Sequence, residues 1–264
     1  MLSLKYLLEE AESNGLPALK TRGILREYIQ VIALNSLYKH PMGRKLYFTG
    51  GTALRFFSNM PRFSEDLDFD SGELQYGEFE DILECLRKNF IHEGISAEIS
   101  KEQRDNLYVA EVRFRDIIRL YNISDARGLE LMMKVEVFKP RWKLSSESAV
   151  LSLYGYNFSY LLLDKGYMFA EKICALLNRG RGRDVYDTLF MLKKRFPINQ
   201  DVLAANKITG SPRELILTKL RGLPEKEVKF LAKQVRPFLF KEDDVELVLK
   251  APAYAERFLE IYGQ

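Results

Sequence analysis

The sequence predicts a mixed α/β domain over residues 1–148 and a helical domain over residues 149–264. Three observations predict it. Residues 45–70, KLYFTGGTALRFFSNMPRFSEDLDFD, read as strand, glycine turn, short helix and a second strand that ends in acids at alternating positions. Residues 107–115 and 131–138 alternate apolar with polar side chains, the period of a half-buried strand. Beyond a Ser-rich link and an aromatic, Gly-containing stretch that start near Ser145, the pattern turns helical, which puts the boundary near Ser148.

In chain order, residues 2–12 form a short helix stopped by Asn14-Gly15, and Pro17 opens a longer one to residue 38. Ile24, Tyr28, Val31, Ile32 and Asn35 give that helix its buried stripe. His40-Pro41-Met42-Gly43 breaks the pattern, and His40 reads as a turn residue. The strand Leu46-Tyr47-Phe48 follows, then Gly50-Gly51 and a helix from Thr52 to Ser58. Residues 76–90 carry Phe79, Ile82, Leu83 and Leu86 at helical spacing, and residues 95–101 form a strand before those at 107–115 and 131–138. Arg113, Arg115 and Arg119 make that region's polar face basic. Helices at residues 164–178, 183–194, 201–205, 211–220, 225–236 and 243–261 complete the chain.

The chain has 264 residues, with 40 Lys+Arg against 37 Asp+Glu and a formal charge of +3, so nucleic-acid binding would have to come from local patches. Cys85, Cys174 and two histidines are too few for a disulfide framework or a zinc site and suit a reducing cytoplasm. The start MLSLKYLLEEAESNG is no signal peptide, and no stretch is long and apolar enough to span a membrane.

The chemistry concentrates in residues 45–70. Glycines at a helix start leave backbone N–H groups open to an anion such as a phosphate. Asp66 and Asp68 share one face of their strand because Leu67 and Phe69 point the other way. Two carboxylates so close repel unless a cation lies between them, and Mg²⁺ is the usual cation beside phosphates. Asp70 lies a step further along the same face, as a supporting or surface acid. In KVEVF, Glu136 is either a third carboxylate of the site or a sheet-surface ion paired with Lys134 or Arg113, and Lys134 is a possible phosphate contact.

A glycine pair, a helix and an Asp-x-Asp strand in this order resemble the signature of the nucleotidyltransferase superfamily. GGTALRFF and RFSEDLDFD are similar to the AbiEii/AbiGii toxin family, the toxin half of type IV toxin–antitoxin and abortive-infection systems. The likeness covers the first three-quarters of the chain and lies mostly in these short blocks. It implies a nucleotidyltransferase-fold mixed sheet with flanking helices, and a C-terminal helical domain that completes a cleft. It also implies transfer of a nucleoside monophosphate from an NTP, with Mg²⁺ or Mn²⁺, to an acceptor hydroxyl on tRNA or another RNA, and a cognate antitoxin. Gly50, Gly51 and Thr52 would then receive the nucleotide, Thr52 capping the helix. Asp66, Asp68 and Glu136 would hold metal, two ions activating the acceptor oxygen and neutralising the leaving pyrophosphate.

AEKICALLNRGRGRDVYDTLF is similar to the family's later signature, from which Lys172 and Asp184 carry over as a functional pair. Read from the residues alone, a lysine in an apolar helix needs a partner, which is either the triphosphate or an acid. Lys172–Asp187 and Glu171–Arg183 are the structural pairings that compete with a phosphate role. Arg179, Arg181, Arg183, Lys193, Lys194 and Arg195 are either an RNA-holding patch or a solvated face. Tyr154, Tyr156, Phe158 and Tyr160 either stack bases or fill a core. A protein that only binds NTP or regulates, and a transferase acting on a small molecule, are the alternatives.

Overall fold

In the computed structural model, residues 1–124 and 129–262 are described. The chain forms two compact units: Met1–Asn59 with Phe63–Leu163, and Met60–Arg62 with Asp164–Gln264. The boundary expected near Ser148 thus falls after Leu163, and three residues from the early motif belong to the second unit.

The first unit is built on strands β1 (Tyr47–Thr49), β2 (Leu67–Asp70), β3 (Glu98–Arg104), β4 (Leu107–Phe114), β5 (Leu131–Phe138), β6 (Ser146–Leu153) and β7 (Tyr156–Leu163). They make one seven-stranded mixed sheet in the order β3-β4-β5-β2-β1-β7-β6. β1 lies antiparallel to β2 and parallel to β7, and β2 lies parallel to β5. Helices α1 (Leu4–Ser13), α2 (Thr21–Lys39), α3 (Gly50–Ser58), α4 (Tyr76–His92) and α5 (Ile117–Leu120) flank it. α2 buries more than the expected stripe: Leu25, Ile29, Ala33, Leu34 and Leu37 are enclosed as well, as befits a helix surrounded by core. α4 starts with a capping box in which Glu78 accepts from the Gln75 amide at 2.9 Å, and the same acid pairs with Lys45 at 2.6 Å.

Aromatic rings knit β1, β2 and β7 together. Phe48 packs on Phe69 with ring centroids 5.4 Å apart and on Tyr160 at 5.9 Å. Tyr154 sits edge-on to Tyr28 at 5.7 Å, and Tyr156 donates to the Glu93 carboxylate. Tyr28, Tyr154 and Tyr160 are core residues, and Tyr156 is half-buried. The stretch that holds Tyr154, Tyr156 and Tyr160, expected at the start of the helical domain, is the β6–β7 hairpin: Tyr154 and Gly155 both adopt positive φ, 52° and 77°, the geometry that lets a two-residue turn match the strand twist. In SESAVLSL the strand period is interrupted by an acid at an inward position of the alternation, Glu147, and by an apolar residue that faces outward, Val150.

The strand expected over residues 95–101 begins instead at Glu98, because Ile95 is buried while its amide closes the end of α4 on the Phe90 carbonyl. The basic face is answered by acids: Arg113 by Glu111 at 3.0 Å, Arg115 by Glu98 at 2.7 Å and Arg119 by Asp116 at 3.1 Å.

The second unit is helical: α6 (Lys165–Asn178), α7 (Gly182–Lys193), α8 (Gln200–Ala205), α9 (Pro212–Arg221), α10 (Glu225–Val235), α11 (Glu246–Leu249) and α12 (Ala251–Tyr262). Phe169, Ile173, Leu189, Leu192, Ile216, Leu220 and Val235 are fully buried in it. The helix expected over residues 243–261 is divided at Lys250, because Pro252 has no N–H to continue the ladder from α11. Cys85 and Cys174 are free thiols, and burial followed by the charge of Glu171 pushes Cys174 up to about 11. Among the described residues no helix is long and apolar enough to cross a membrane.

Candidate active site

The site is organised by β1, the start of α3, β2 and β5. Gly50 opens α3 with φ +77°, a conformation that costs a side-chain-bearing residue free energy. A Cβ at residue 50 would stand 2.0 Å from Asp68 Oδ2 and 2.7 Å from the carboxyl carbon, so the missing side chain is what admits Asp68 to the helix start. Strand pairing explains the placement, since Asp68 faces Thr49 across β1 and Glu136 across β5.

Adjacent strands lie about 4.8 Å apart, and residues abreast in a parallel pair send their side chains to the same face. Asp68 and Glu136 are therefore neighbours on one surface, both half-buried. Asp66 precedes β2, and its carboxylate accepts from the Lys134 amide on β5 at 3.3 Å. The third acid is thereby fastened to the strand that carries Glu136. Asp70, aligned with Tyr47 and Phe138, is buried rather than a surface acid.

Thr52 has a different task from the expected cap. The cap position is Thr49, whereas Thr52 is fully buried in the first turn and its hydroxyl donates to the Asp66 carbonyl at 2.5 Å. It ties the first turn of α3 to the acid segment. Below that turn, Arg55 of α3 meets Glu27 of α2 through Nε at 2.9 Å. Burial raises the Glu27 carboxyl above its usual value even though Arg55 pulls the other way.

The donors suit a hard divalent cation. All are carboxylate oxygens, and an anion at the start of α3 would lie beside the Asp68 carboxylate, where a cation is needed to hold like charges together. Among the described residues no three of His, Cys, Asp and Glu gather into a protein-only metal cage. Mg²⁺ seldom uses such a cage, taking one or two carboxylates together with substrate phosphates and water.

In the second unit the expected Lys172–Asp184 pair is not formed. Lys172 lies 2.9 Å from Asp187, which also accepts two bonds of 2.7 Å from the guanidinium of Arg62. Burial alone would raise the Asp187 carboxyl, but the charge of Arg62, then that of Lys172, and their hydrogen bonds hold it below its ordinary value. Asp184 instead serves its own helix: it accepts from the Arg181 amide at 3.0 Å and from Arg179 Nε and Nη2 at 2.9 Å each. The structural pairing of Lys172 with Asp187 is formed. Arg62 has no assigned role in the sequence reading, although it stands in RFSEDLDFD four residues before Asp66. Its signal is an arginine at the edge of an apolar block, where a buried acid must answer it.

A mixed sheet with a glycine-opened helix and an acid strand beside it defines a nucleotidyltransferase fold. A Helicobacter pylori protein, whose crystal structure carries the provisional name nucleotidyltransferase, shares that fold at TM-score 0.58 and 18% identity, over 92% of this chain and 96% of that one. JHP933 from Helicobacter pylori matches at TM-score 0.47 and 17% identity, over 92% and 98%. No curated protein matches the sequence. Residues 32–250 match the family described as nucleotidyl transferase AbiEii toxin, type IV TA system, and the chain belongs to that family.

Proposed function

We propose that the protein moves a nucleoside monophosphate from an NTP to an acceptor hydroxyl in a metal-dependent reaction, as a type IV toxin that acts on tRNA or another RNA and is held in check by an antitoxin. The observation that carries the reading is the apposition of Gly50, Asp68 and Glu136, which joins an anion cradle to a pair of carboxylates. In this reading the backbone of Gly50 and Gly51 receives the triphosphate, while carboxylates from the set Asp66, Asp68 and Glu136 would hold Mg²⁺ or Mn²⁺ together with the phosphates and water. The bound cation supplies charge neutralisation of the pyrophosphate and activation of the acceptor. Thr52 and the Lys134 amide hold Asp66 in place.

Lys172 and Asp184 enter the proposal on the family likeness alone. Asp187 and Arg179 already answer their charges.

The test is transfer from each labelled NTP to total RNA, with Asp66→Asn and Asp68→Asn beside the parent protein. Both variants should lose transfer by orders of magnitude while their melting temperature stays level or rises, because carboxylate repulsion is relieved. Transfer retained in both removes these acids from the reaction.

A further inference from the structure

The second unit contains a cavity of about 600 Å³, within the range of small-molecule sites, and none of the sheet acids lines it. It lies among α7, the segment around residues 243–247 and α12. Its apolar surface combines Leu192, Leu247 and Ile261 with aromatic rings: Phe190 of α7, and Tyr254 with Phe258 of α12, whose ring centroids are 5.8 Å apart. Cations enter from two elements. Lys193, Lys194 and Arg195 close the end of α7, with the Lys194 ammonium 5.9 Å from the Phe190 ring centre, and Arg257 rises from α12. Asp243, Asp244 and Glu246 add carboxylates on the third element, and Glu246 also pairs with Lys250 at 2.6 Å.

We propose that this cavity is a nucleotide subsite that takes one base together with its phosphate. Each chemical group has its match. Rings accept a base by stacking without regard to sequence. Lys194, Arg195 and Arg257 are exposed and reach a phosphate. The carboxylates accept hydrogen bonds from the amino groups that adenine, guanine and cytosine carry, which gives those bases an advantage over uracil. A purely apolar ligand would leave four cations and three acids without a match, and a simple anion would leave the rings so. The same chemistry comes from two sources, a single-stranded RNA or a free nucleotide. The RNA source deepens the proposed acceptor and rests on that reading, whereas binding itself does not.

The experiment separates the two. Fluorescence anisotropy of a short labelled single-stranded RNA is followed with the full chain, with competition by AMP, GMP, CMP and UMP, in the Asp68→Asn background so that no transfer occurs. Binding should survive Asp68→Asn, weaken with rising salt, and fall at least about tenfold in Lys194→Glu/Arg195→Glu, whose charges contact phosphate. Phe258→Leu keeps the apolar volume but loses the stacking face, and should weaken binding about fivefold or more. RNA that binds far more tightly than the monophosphates marks the strand as the source, whereas equal affinity marks the free nucleotide. Wild-type affinity in both variants overturns the subsite. So does failure of RNA and all four monophosphates to bind, including the case in which a polypeptide occupies the cavity instead.

Discussion

Replacing Gly50 by alanine tests the centre of the site, because the consequence of one methyl group can be worked from the coordinates. The added Cβ meets Asp68 Oδ2 at 2.0 Å, its carboxyl carbon at 2.7 Å and its Cβ at 2.8 Å. Distances under 3.0 Å force a shift, and the atoms in the way belong to the short, strand-anchored side chain that faces Glu136. The backbone term is about 1–2 kcal/mol, because φ is +77° and alanine resists that region. Overpacking adds about 1–3 kcal/mol. Gly50→Ala should therefore cost about 2–5 kcal/mol in denaturant unfolding, with transfer lost even in protein that is still folded, since Asp68 must swing away from the helix start. Gly72→Ala is the control: its Cβ meets nothing within 4 Å, and its effect should stay within about 0.5 kcal/mol. A Gly50→Ala protein with the parent's midpoint and transfer rate would refute the claim that the absent side chain admits Asp68.

Thr52→Val keeps the shape but removes the bond to the Asp66 carbonyl; unfolding should show a loss of about 1–3 kcal/mol, and more Mg²⁺ should be needed for half-maximal transfer. Asp187→Asn leaves the charges of Arg62 and Lys172 without their carboxylate and should cost about 3–5 kcal/mol, whereas Lys172→Met keeps the Arg62–Asp187 pair and should cost less; calorimetric titration with a non-hydrolysable NTP then reports whether Lys172 also serves the nucleotide, since unchanged affinity would leave it a structural cation. Asp187 is depressed in the folded protein, so its stabilisation is present above the unfolded value near 3.8 and is lost as pH falls through the folded one; Asp187→Asn should flatten that part of the acid-unfolding curve. Glu27 has the opposite sign: its carboxyl is raised, the folded state binds the extra proton, and its contribution declines as pH rises upward from about 4.5, a slope that Glu27→Gln should abolish in stability measured against pH.

The early motif was legible because its chemistry is local. Gly50, Asp66 and Asp68 lie within one strand–helix–strand run, and alternation alone puts two acids on a face. Glu136 was legible as a strand acid, but only the parallel register of β5 with β2 puts it beside Asp68, and register is a tertiary fact. Threonine near a helix start suggests a cap, whereas the helix starts earlier and the Thr52 hydroxyl looks inward to Asp66. The choice between Asp184 and Asp187 for Lys172 turned on helix phase. On α6 and α7, the buried Asp187 meets Lys172, while Asp184 sits in the first turn, where an acid satisfies amides. The β6–β7 hairpin is not legible because Glu147 and the outward-facing Val150 break the alternation that marks a half-buried strand.

Residues 60–62 belong to the unit whose other residues begin a hundred positions later. Met60 is fully enclosed, Arg62 nearly so, and the Phe240 amide donates to the Pro61 carbonyl at 3.0 Å. A fragment that ends at Leu163 would therefore carry a loose end in its middle: an apolar side chain and a guanidinium stripped of their surroundings, between the glycine turn and the acid strand. The helical unit, in turn, could not be made whole from residues 164 onward without a three-residue peptide supplied from elsewhere. Dissection of this protein by a single cut therefore damages both pieces.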